Sequence, residues 1–186
     1  MDFGLSNEQK MLIDSVRSFV QQELYPHEAE VEKTNRVDDA MVEKIKQKAI
    51  EFGLYAANMP EEFGGGGLDS LTLCLMEKEL GRANFGLQYI VARPSNILLA
   101  CKDEQVERYL LPTIRGEKVD CLAMTEPNAG SDVRSMQCKA ERDGDYFVIN
   151  GSKHFISHAD MADYVILFAA SGVEDTPRGP KKKITS

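Results

Sequence analysis

No Cys-x-x-Cys pair, no cluster of histidines and no long apolar run occur in this sequence, and each absence removes a class of function. The four cysteines, Cys74, Cys101, Cys121 and Cys138, are scattered and have no accompanying histidine pattern. That argues against a zinc site or a disulfide framework and favours buried free thiols. His154 and His158 lie four apart, but in a stretch that reads as strand and loop, so they do not share a helix face and no metal site is assigned. No stretch approaches the about 18 apolar residues of a membrane helix, and the acidic opening Met1 to Glu8 has no apolar signal core. The expectation is a soluble, cytoplasmic chain with no membrane partner. Positive charge is also short, with 22 Lys and Arg against 30 Asp and Glu, a net charge of -8. With no basic stripe interleaved with aromatics, nucleic acid is a poor partner. The tract Gly64 to Gly67 lacks the lysine and Ser/Thr of a phosphate-binding loop and reads as a flexible connector. Glu61 and Glu62 are adjacent, share no face of a helix or strand, and read as solvated charges.

What is present is enough for one or two modest cores: 186 residues, 42% hydrophobic. The first 118 residues carry helical periodicity. Ser6 and Gln9 have capping-box spacing, and Leu12, Val16, Phe19, Val20 and Leu24 follow at helical intervals until Pro26, so a helix opening near Phe3 is expected to stop there. Asp38 or Asp39 caps a second helix with Met41, Val42, Ile45, Ala49 and Phe52 on one face, ending at Gly53. A third spans about Asp69 to Leu80 with Leu71, Leu75, Met76 and Leu80 apolar, and a fourth Phe85 to Val91. Arg93 and Pro94 break it, Ile97 to Cys101 adds a short segment, and Asp103 caps the last helix. Arg93 reads as a solvated or carbonyl-capping charge and is left out of the site.

From Val119 the period becomes strand-like, so the domains are set at 1–118 and 119–186. Val119, Leu122 and Met124 read as a short buried strand. Asp143-Gly144 turns a hairpin between Gln137–Arg142 and Asp145–Asn150, and Asn150-Gly151 turns the chain into a further strand, Lys153 to Ser157. Tyr164 to Ala169 is another, and the tail from Ser171 to Ser186, with Lys181, Lys182 and Lys183, reads as a solvated loop. The fold class is therefore α+β: an all-α bundle followed by an antiparallel β-domain of four or five strands, left incomplete with an exposed edge.

The first strand runs straight into Thr125-Glu126-Pro127-Asn128-Ala129-Gly130-Ser131-Asp132. Backbone N–H groups around Gly130 and the hydroxyls of Thr125 and Ser131 can hold a phosphate or a heterocycle edge. This string resembles the flavin-binding signature of the acyl-CoA dehydrogenase family. The same resemblance extends over Pro60-Glu61-Glu62-Phe63-Gly64-Gly65, Glu79-Leu80-Gly81-Arg82, Gln105 to Leu110 and Asn150-Gly151-Ser152-Lys153-His154-Phe155-Ile156-Ser157, covering residues 1 to about 170. It implies a protein that continues well past Ser186.

The resemblance implies FAD as cofactor and α,β-dehydrogenation of an acyl-CoA thioester, in which a carboxylate takes the α proton and the flavin the β hydride. It places the backbone of Leu122 to Met124 along the flavin ring and the Thr125 hydroxyl and N–H at its pyrimidine side. Gly130 and Ser131 would meet cofactor phosphate or the CoA arm, making Ser131 a substrate contact as well. Phe155 stands where the family commonly has tryptophan, with Ile156 beside it. Ser157 stands where threonine is common, keeping the hydroxyl donor without the methyl that restricts its rotamers. Asn128 takes a position often held by a smaller residue. No residue here matches the family's glutamate base, so no catalytic residue is assigned and the 186-residue chain alone is expected to be inactive. The implied partners are an acyl-CoA substrate, an electron-transfer flavoprotein as electron acceptor, and further copies in a dimer or tetramer. A flavin-dependent acyl-CoA oxidase or monooxygenase, or a noncatalytic binding or oligomerisation module, are the alternative readings; a bound yellow chromophore separates the last from the enzymes.

Overall fold

A computed structural model of the chain describes residues 4–91, 94–177 and 179–186. Phe3 and Arg93 lie outside the described residues. The chain forms two compact units, residues 1–117 and 118–186, a helical one followed by one built on strands.

The helical unit opens on α1, Asn7–Phe19. Its capping box is formed as the spacing requires, with the Gln9 N–H donating to Ser6 Oγ and the Ser6 N–H to Gln9 Oε1, both at 3.1 Å. Pro26 does not end the helical path. After a π-helical turn at Val20–Leu24 and a 3-10 turn at Tyr25–His27, α2 runs over Glu28–Thr34. The missing N–H of proline costs nothing in a first turn, where it has no intrahelical partner, so Pro26 starts a helical segment as readily as it stops one. Helix α3, Asp39–Glu51, is capped by Asp38, and α4, Ser70–Leu80, by Asp69. Val16, Phe19, Val20 and Leu24 pack with Ile45 and Ala49 of α3, Met76 and Leu80 of α4, and Leu87. Each such side chain contributes roughly 1.5–3 kcal/mol of burial. Leu71 is on the outer face of α4, 58% exposed; the buried stripe is Met76 and Leu80 with Leu73 packed against it. Cys74 is exposed as well, against the expectation of a buried thiol.

Helices α1 and α4 are clamped by a buried carboxylate. Glu79, 3% exposed, accepts from Arg17 Nε at 2.9 Å, Arg17 Nη2 at 3.1 Å and Arg82 Nη1 at 3.0 Å. These charge-assisted bonds outweigh the cost of burial, and the Arg17 contact first among them holds the Glu79 carboxyl below its ordinary value.

The glycine tract is a tight turn and not a flexible connector. The Gly65, Gly66, Gly67 and Leu68 N–H groups donate to the carbonyls of Pro60, Ala56, Met59 and Ala57 at 2.8–3.1 Å. A Cβ on Gly65 would stand 2.2 Å from the Met59 oxygen, and one on Gly66 2.9 Å from Ala57 Cα. Glycines are there because backbone packs on backbone, not because the segment moves. Beyond it come α5, Phe85–Gln88, 3-10 turns at Tyr89–Val91 and Asn96–Ala100, a π-helical Val106–Leu110 and α6, Leu111–Ile114. Asp103 sits exposed at a φ of +48°; the Lys102 N–H is met by Gln105 Oε1 at 3.1 Å, and the π-helical segment starts without a side-chain cap.

Among the described residues the second unit has six strands: β1 Asp120–Ala123, β2 Lys139–Asp143, β3 Tyr146–Asn150, β4 Tyr164–Leu167, β5 Ala169–Thr176 and β6 Gly179–Thr185. The antiparallel expectation is corrected to a mixed arrangement. Strands β2–β3 and β5–β6 are antiparallel hairpins, but β1 pairs with β4 in parallel and β2 meets β5 in parallel, in the order β3-β2-β5-β6. A parallel partner needs a long return connection, and the segment after β3 supplies it. Asp163 brings the chain back to the foot of β1, its N–H donating to the Val119 carbonyl and its Oδ2 accepting the Val119 N–H, both at 2.9 Å.

The tail is not a solvated loop. It forms the β5–β6 hairpin, in which Glu174 faces Lys181 and Val173 faces Lys182. Opposite charges across strands stabilise a lysine-rich edge that composition alone reads as loop. The expected strand Lys153–Ser157 is likewise absent, and that stretch is irregular. A small core of Met136, Cys138 and Ala169, with Met124, Val133, Leu167, Phe168 and Ile184 around it, holds the unit together. Among the described residues, no helix is long and apolar enough to cross a membrane.

Candidate functional site

Strand β1 buries Cys121 and Ala123 and turns Leu122 outward, 41% exposed. Period two puts alternate residues on opposite faces, so Leu122 is not part of a buried strand as expected; it presents its side chain on the open face. At Thr125 the chain leaves the strand. The Glu126 N–H donates to the Ala129 carbonyl at 2.8 Å and the Ala129 N–H to the Glu126 carbonyl at 3.2 Å, closing a turn over Pro127 and Asn128.

The Glu126 side chain turns inward and becomes the centre of the loop. Its Oε2 accepts the Gln137 N–H at 2.6 Å, and its Oε1 accepts the Cys138 N–H at 2.9 Å and the Lys153 ammonium at 3.0 Å. Lys153 Nζ also donates to the Met124 carbonyl at 3.0 Å, and the His154 N–H to the Thr125 carbonyl at 2.9 Å. Three separate stretches, 124–129, 137–138 and 153–154, are thus tied at one point. Burial by itself pushes the Glu126 carboxyl up, but the bonds from Gln137, Lys153 and Cys138 together outweigh it and hold the group ionised, below its ordinary value. Sequence reading placed no structural role on Glu126 or Lys153. Opposite charges 27 residues apart carry no local periodicity, and only the position of both inside the two quoted strings marks them.

Around this centre, the carbonyls of Met124 and Thr125 are both engaged, whereas the Thr125 N–H and hydroxyl have no hydrogen-bond partner among the described residues. Because a trans peptide is planar, with C=O and N–H opposed, the pull of Lys153 on the Met124 carbonyl turns the Thr125 N–H away from the buried pair. Gly130 and Ser131 are exposed on the outer side of the turn. A Cβ on Gly130 would meet nothing within 4 Å, so chain packing does not account for the glycine and the space beside it is open to another group. Asp132 accepts from the Ser135 hydroxyl, which holds its carboxyl below the ordinary value.

Phe155 follows His154 at a φ of +55°, with its ring 87% exposed and edge-on to the His154 ring at 3.7 Å between centroids. A bulky residue in left-handed backbone, with its ring in solvent, is strain without a local return. Ile156 is half-buried and Ser157 exposed. The structure therefore joins Met124 to Lys153 and Thr125 to His154 directly, with Phe155 next in the chain. No hydrogen bond ties Gly130, Ser131 or Ser157 to them among the described residues.

Residues 6–117 match the family model for the acyl-CoA dehydrogenase N-terminal domain, and residues 121–185 the model for the acyl-CoA dehydrogenase middle domain. The chain belongs to the acyl-CoA dehydrogenase family. Within that family it is 36% identical over 178 residues to the 3-(aryl)acrylate reductase of Clostridium sporogenes, covering 92% of this chain and 46% of that protein. It is 33% identical over 186 residues to the short-chain specific acyl-CoA dehydrogenase of Clostridium acetobutylicum, covering 97% of this chain and 47% of the other. Its backbone superposes on PigA, solved as an FAD complex, with a TM-score of 0.80 at 26% identity over 100% of this chain and 49% of that one. The chain thus spans about half the length of the acyl-CoA dehydrogenase relatives it matches, and the family resemblance drawn from the motifs holds over both units.

Proposed function

We propose that this chain is the amino-terminal portion of an FAD-dependent acyl-CoA dehydrogenase that catalyses α,β-dehydrogenation of an acyl-CoA thioester. The observation that carries the reading is Thr125: the Met124 carbonyl before it and its own carbonyl are held, its N–H and hydroxyl have no partner among the described residues, and an open glycine follows on the same loop. That is a set of fixed donors facing a ligand edge, and it fits the pyrimidine side of a flavin. FAD, when bound, would supply the acceptor for the hydride leaving the β-carbon. Leu122 and Met124 would border the ring, Phe155 would lay its face against it, and Ile156 and Ser157 would come next, the serine hydroxyl donating. Gly130 and Ser131 would serve the phosphate or CoA arm. The strain at Phe155 supports this division, since a ring held in solvent by left-handed backbone gains packing only when something covers it.

The proton-abstracting carboxylate is assigned to the part of the protein outside this chain. Glu126 has both oxygens engaged, and the bonds from Gln137, Lys153 and Cys138 outweigh burial and hold it ionised, which makes it a weak base. An electron-transfer flavoprotein is the expected electron acceptor. A dimer or tetramer is the expected assembly; β3, an edge strand with Tyr146, Phe147, Val148 and Ile149 all exposed, is a surface suited to cover by more protein. The test is the absorbance of the purified full-length protein. Flavin bands are expected. A colourless protein that neither quenches nor shifts the spectrum of added FAD would end this reading.

A further inference from the structure

We propose that Lys153 is a positioning residue for the flavin site: by holding the Met124 carbonyl while paired with Glu126, it sets the direction in which Thr125 presents its N–H. The inference rests on the FAD reading above. Lys153 and Glu126 have side chains only 9% and 4% exposed. A buried pair of this kind seldom contributes net stability, because desolvation of two charges offsets their attraction, and well-packed apolar residues often serve as well. What apolar residues could not reproduce is the donation from Lys153 Nζ to the Met124 oxygen at 3.0 Å. An ammonium has three donors; here one goes to the carboxylate and one to the carbonyl.

Peptide geometry gives this contact its consequence. The plane between Met124 and Thr125 carries the Met124 carbonyl and the Thr125 N–H together, so it can turn only if that carbonyl leaves Lys153. The His154 N–H holds the next plane through the Thr125 carbonyl, and with both bonds intact Thr125 is fixed on either side. Glu126 cannot do this alone, since its oxygens accept and do not donate. Its part is to hold the lysine in place, and it is itself fixed by the Gln137 and Cys138 N–H groups. The positively charged end of Lys153 is thus delivered to a backbone oxygen by a chain of contacts that begins at Gln137 and Cys138, just ahead of β2.

The experiment compares Lys153→Met with Ile166→Ala in the full-length protein. Ile166 is a buried β4 residue, 8% exposed, that supports the same unit with no part in the loop's bonds. Lys153→Met is expected to weaken FAD binding about five- to tenfold, the worth of roughly one hydrogen bond, and to shift the flavin spectrum and reduction potential. Ile166→Ala, at a comparable loss of Tm, should leave spectrum and potential at parental values. Amide exchange over the loop residues 125–129, beyond the β1–β4 ladder, in the absence of cofactor should quicken in Lys153→Met and not in Ile166→Ala. Parental affinity, potential and exchange in Lys153→Met would overturn the proposal, as would equal spectral shifts in both variants. If Lys153→Met does not fold, Lys153→Arg carries the test. It keeps a cation beside Glu126 but replaces the ammonium by a longer planar fork, and is expected to fall between parent and methionine; parental values throughout would overturn the role. A parental protein that takes up no FAD would defeat the flavin reading instead, and the cofactor-free exchange rates would then decide alone whether Lys153 orders the loop.

Discussion

Replacing Gly151 by alanine should damage the flavin site through the backbone, without touching any residue that faces the cofactor. Gly151 has a φ of +151°, and a Cβ there would stand 2.6 Å from Cys138 Cα and 2.7 Å from Cys138 Cβ. Cys138 cannot retreat: its N–H is held by Glu126 Oε1 at 2.9 Å and its carbonyl by the Ala170 N–H at 2.8 Å. The 151 backbone must therefore move outward by roughly 1 Å to restore ordinary contact. The φ alone costs an L-residue about 1–3 kcal/mol, and forced overpacking about 1–3 kcal/mol more, so a loss of about 3 kcal/mol is expected. Two residues on, the same displacement stretches the Lys153 contacts to Met124 and Glu126, both at 3.0 Å. Thermal unfolding and FAD titration of the full-length protein should both show the loss. Gly130→Ala supplies the contrast, since its Cβ meets nothing: stability should stay within about 0.5 kcal/mol of the parent, while FAD affinity falls because the open space is used by ligand. Parental Tm and FAD affinity in Gly151→Ala would refute the packing argument.

Thr125→Ala should weaken FAD binding by about 1 kcal/mol, whereas Ser70→Ala, at the exposed start of α4, should not, and equal null effects in an FAD titration would count against the loop as a cradle. Arg17→Ala should loosen the α1–α4 clamp more than Arg82→Ala, since Arg17 makes two of the three bonds to Glu79; amide exchange in 70–80 reads the order. Gly65→Ala sets a Cβ 2.2 Å from a backbone oxygen and should cost about 3 kcal/mol or abolish folding, measurable as lost soluble yield or Tm. The pH dependence has a definite sign: the Glu126 carboxyl is depressed below its ordinary 4.5, so its stabilisation of the loop is complete above that value and lost as pH falls through the lower folded value. Protection over 122–129, taken as exchange relative to the intrinsic amide rate at each pH, should fall as the pH drops below the ordinary 4.5 and stay level from pH 5 to 7.

Much of the helical unit was legible because its signals are local. Ser6 with Gln9, Asp38 and Asp69 act as caps where spacing places them, and the α1 apolar positions and Met41, Val42, Ile45 and Ala49 of α3 face the core in phase, while Phe52 is 53% exposed. The misreadings share one cause, which is that the deciding interaction lies outside the local window. Pro26 ends a helix or starts one according to whether the residues after it take helical backbone. The glycine tract reads as loose until Met59 and Ala57 are seen beneath it. The lysine-rich tail reads as a loop until β5 is set opposite β6, although Lys182 and Lys183 remain exposed. Parallel pairing of β1 with β4 is set by Asp163 reaching Val119, for which no periodicity exists. In the site the two strings were visible but their junction was not. Thr125 stood out as a hydroxyl beside proline and glycine, while the groups that orient it, Lys153 and His154, come from a stretch expected to be strand.

That junction also bears on how the proposed chemistry divides between the two halves of the protein. The two carboxylates in the signature loop are Glu126 and Asp132, and both are held below their ordinary range, Glu126 by its bonds from Gln137, Lys153 and Cys138 working against burial, Asp132 first by the Ser135 hydroxyl. A general base for an α proton benefits from the opposite tuning, a carboxylate raised toward neutrality by burial without a cation. Lowering them serves a different purpose: a carboxylate that stays ionised is a permanent acceptor, and Glu126 uses that permanence to gather two backbone N–H groups and an ammonium. On the proposed function, this chain supplies fixed donors for the flavin and a rigid frame behind them. On the same proposal neither Glu126 nor Asp132 is tuned as the proton acceptor, which calls for a carboxylate buried against substrate without a lysine beside it.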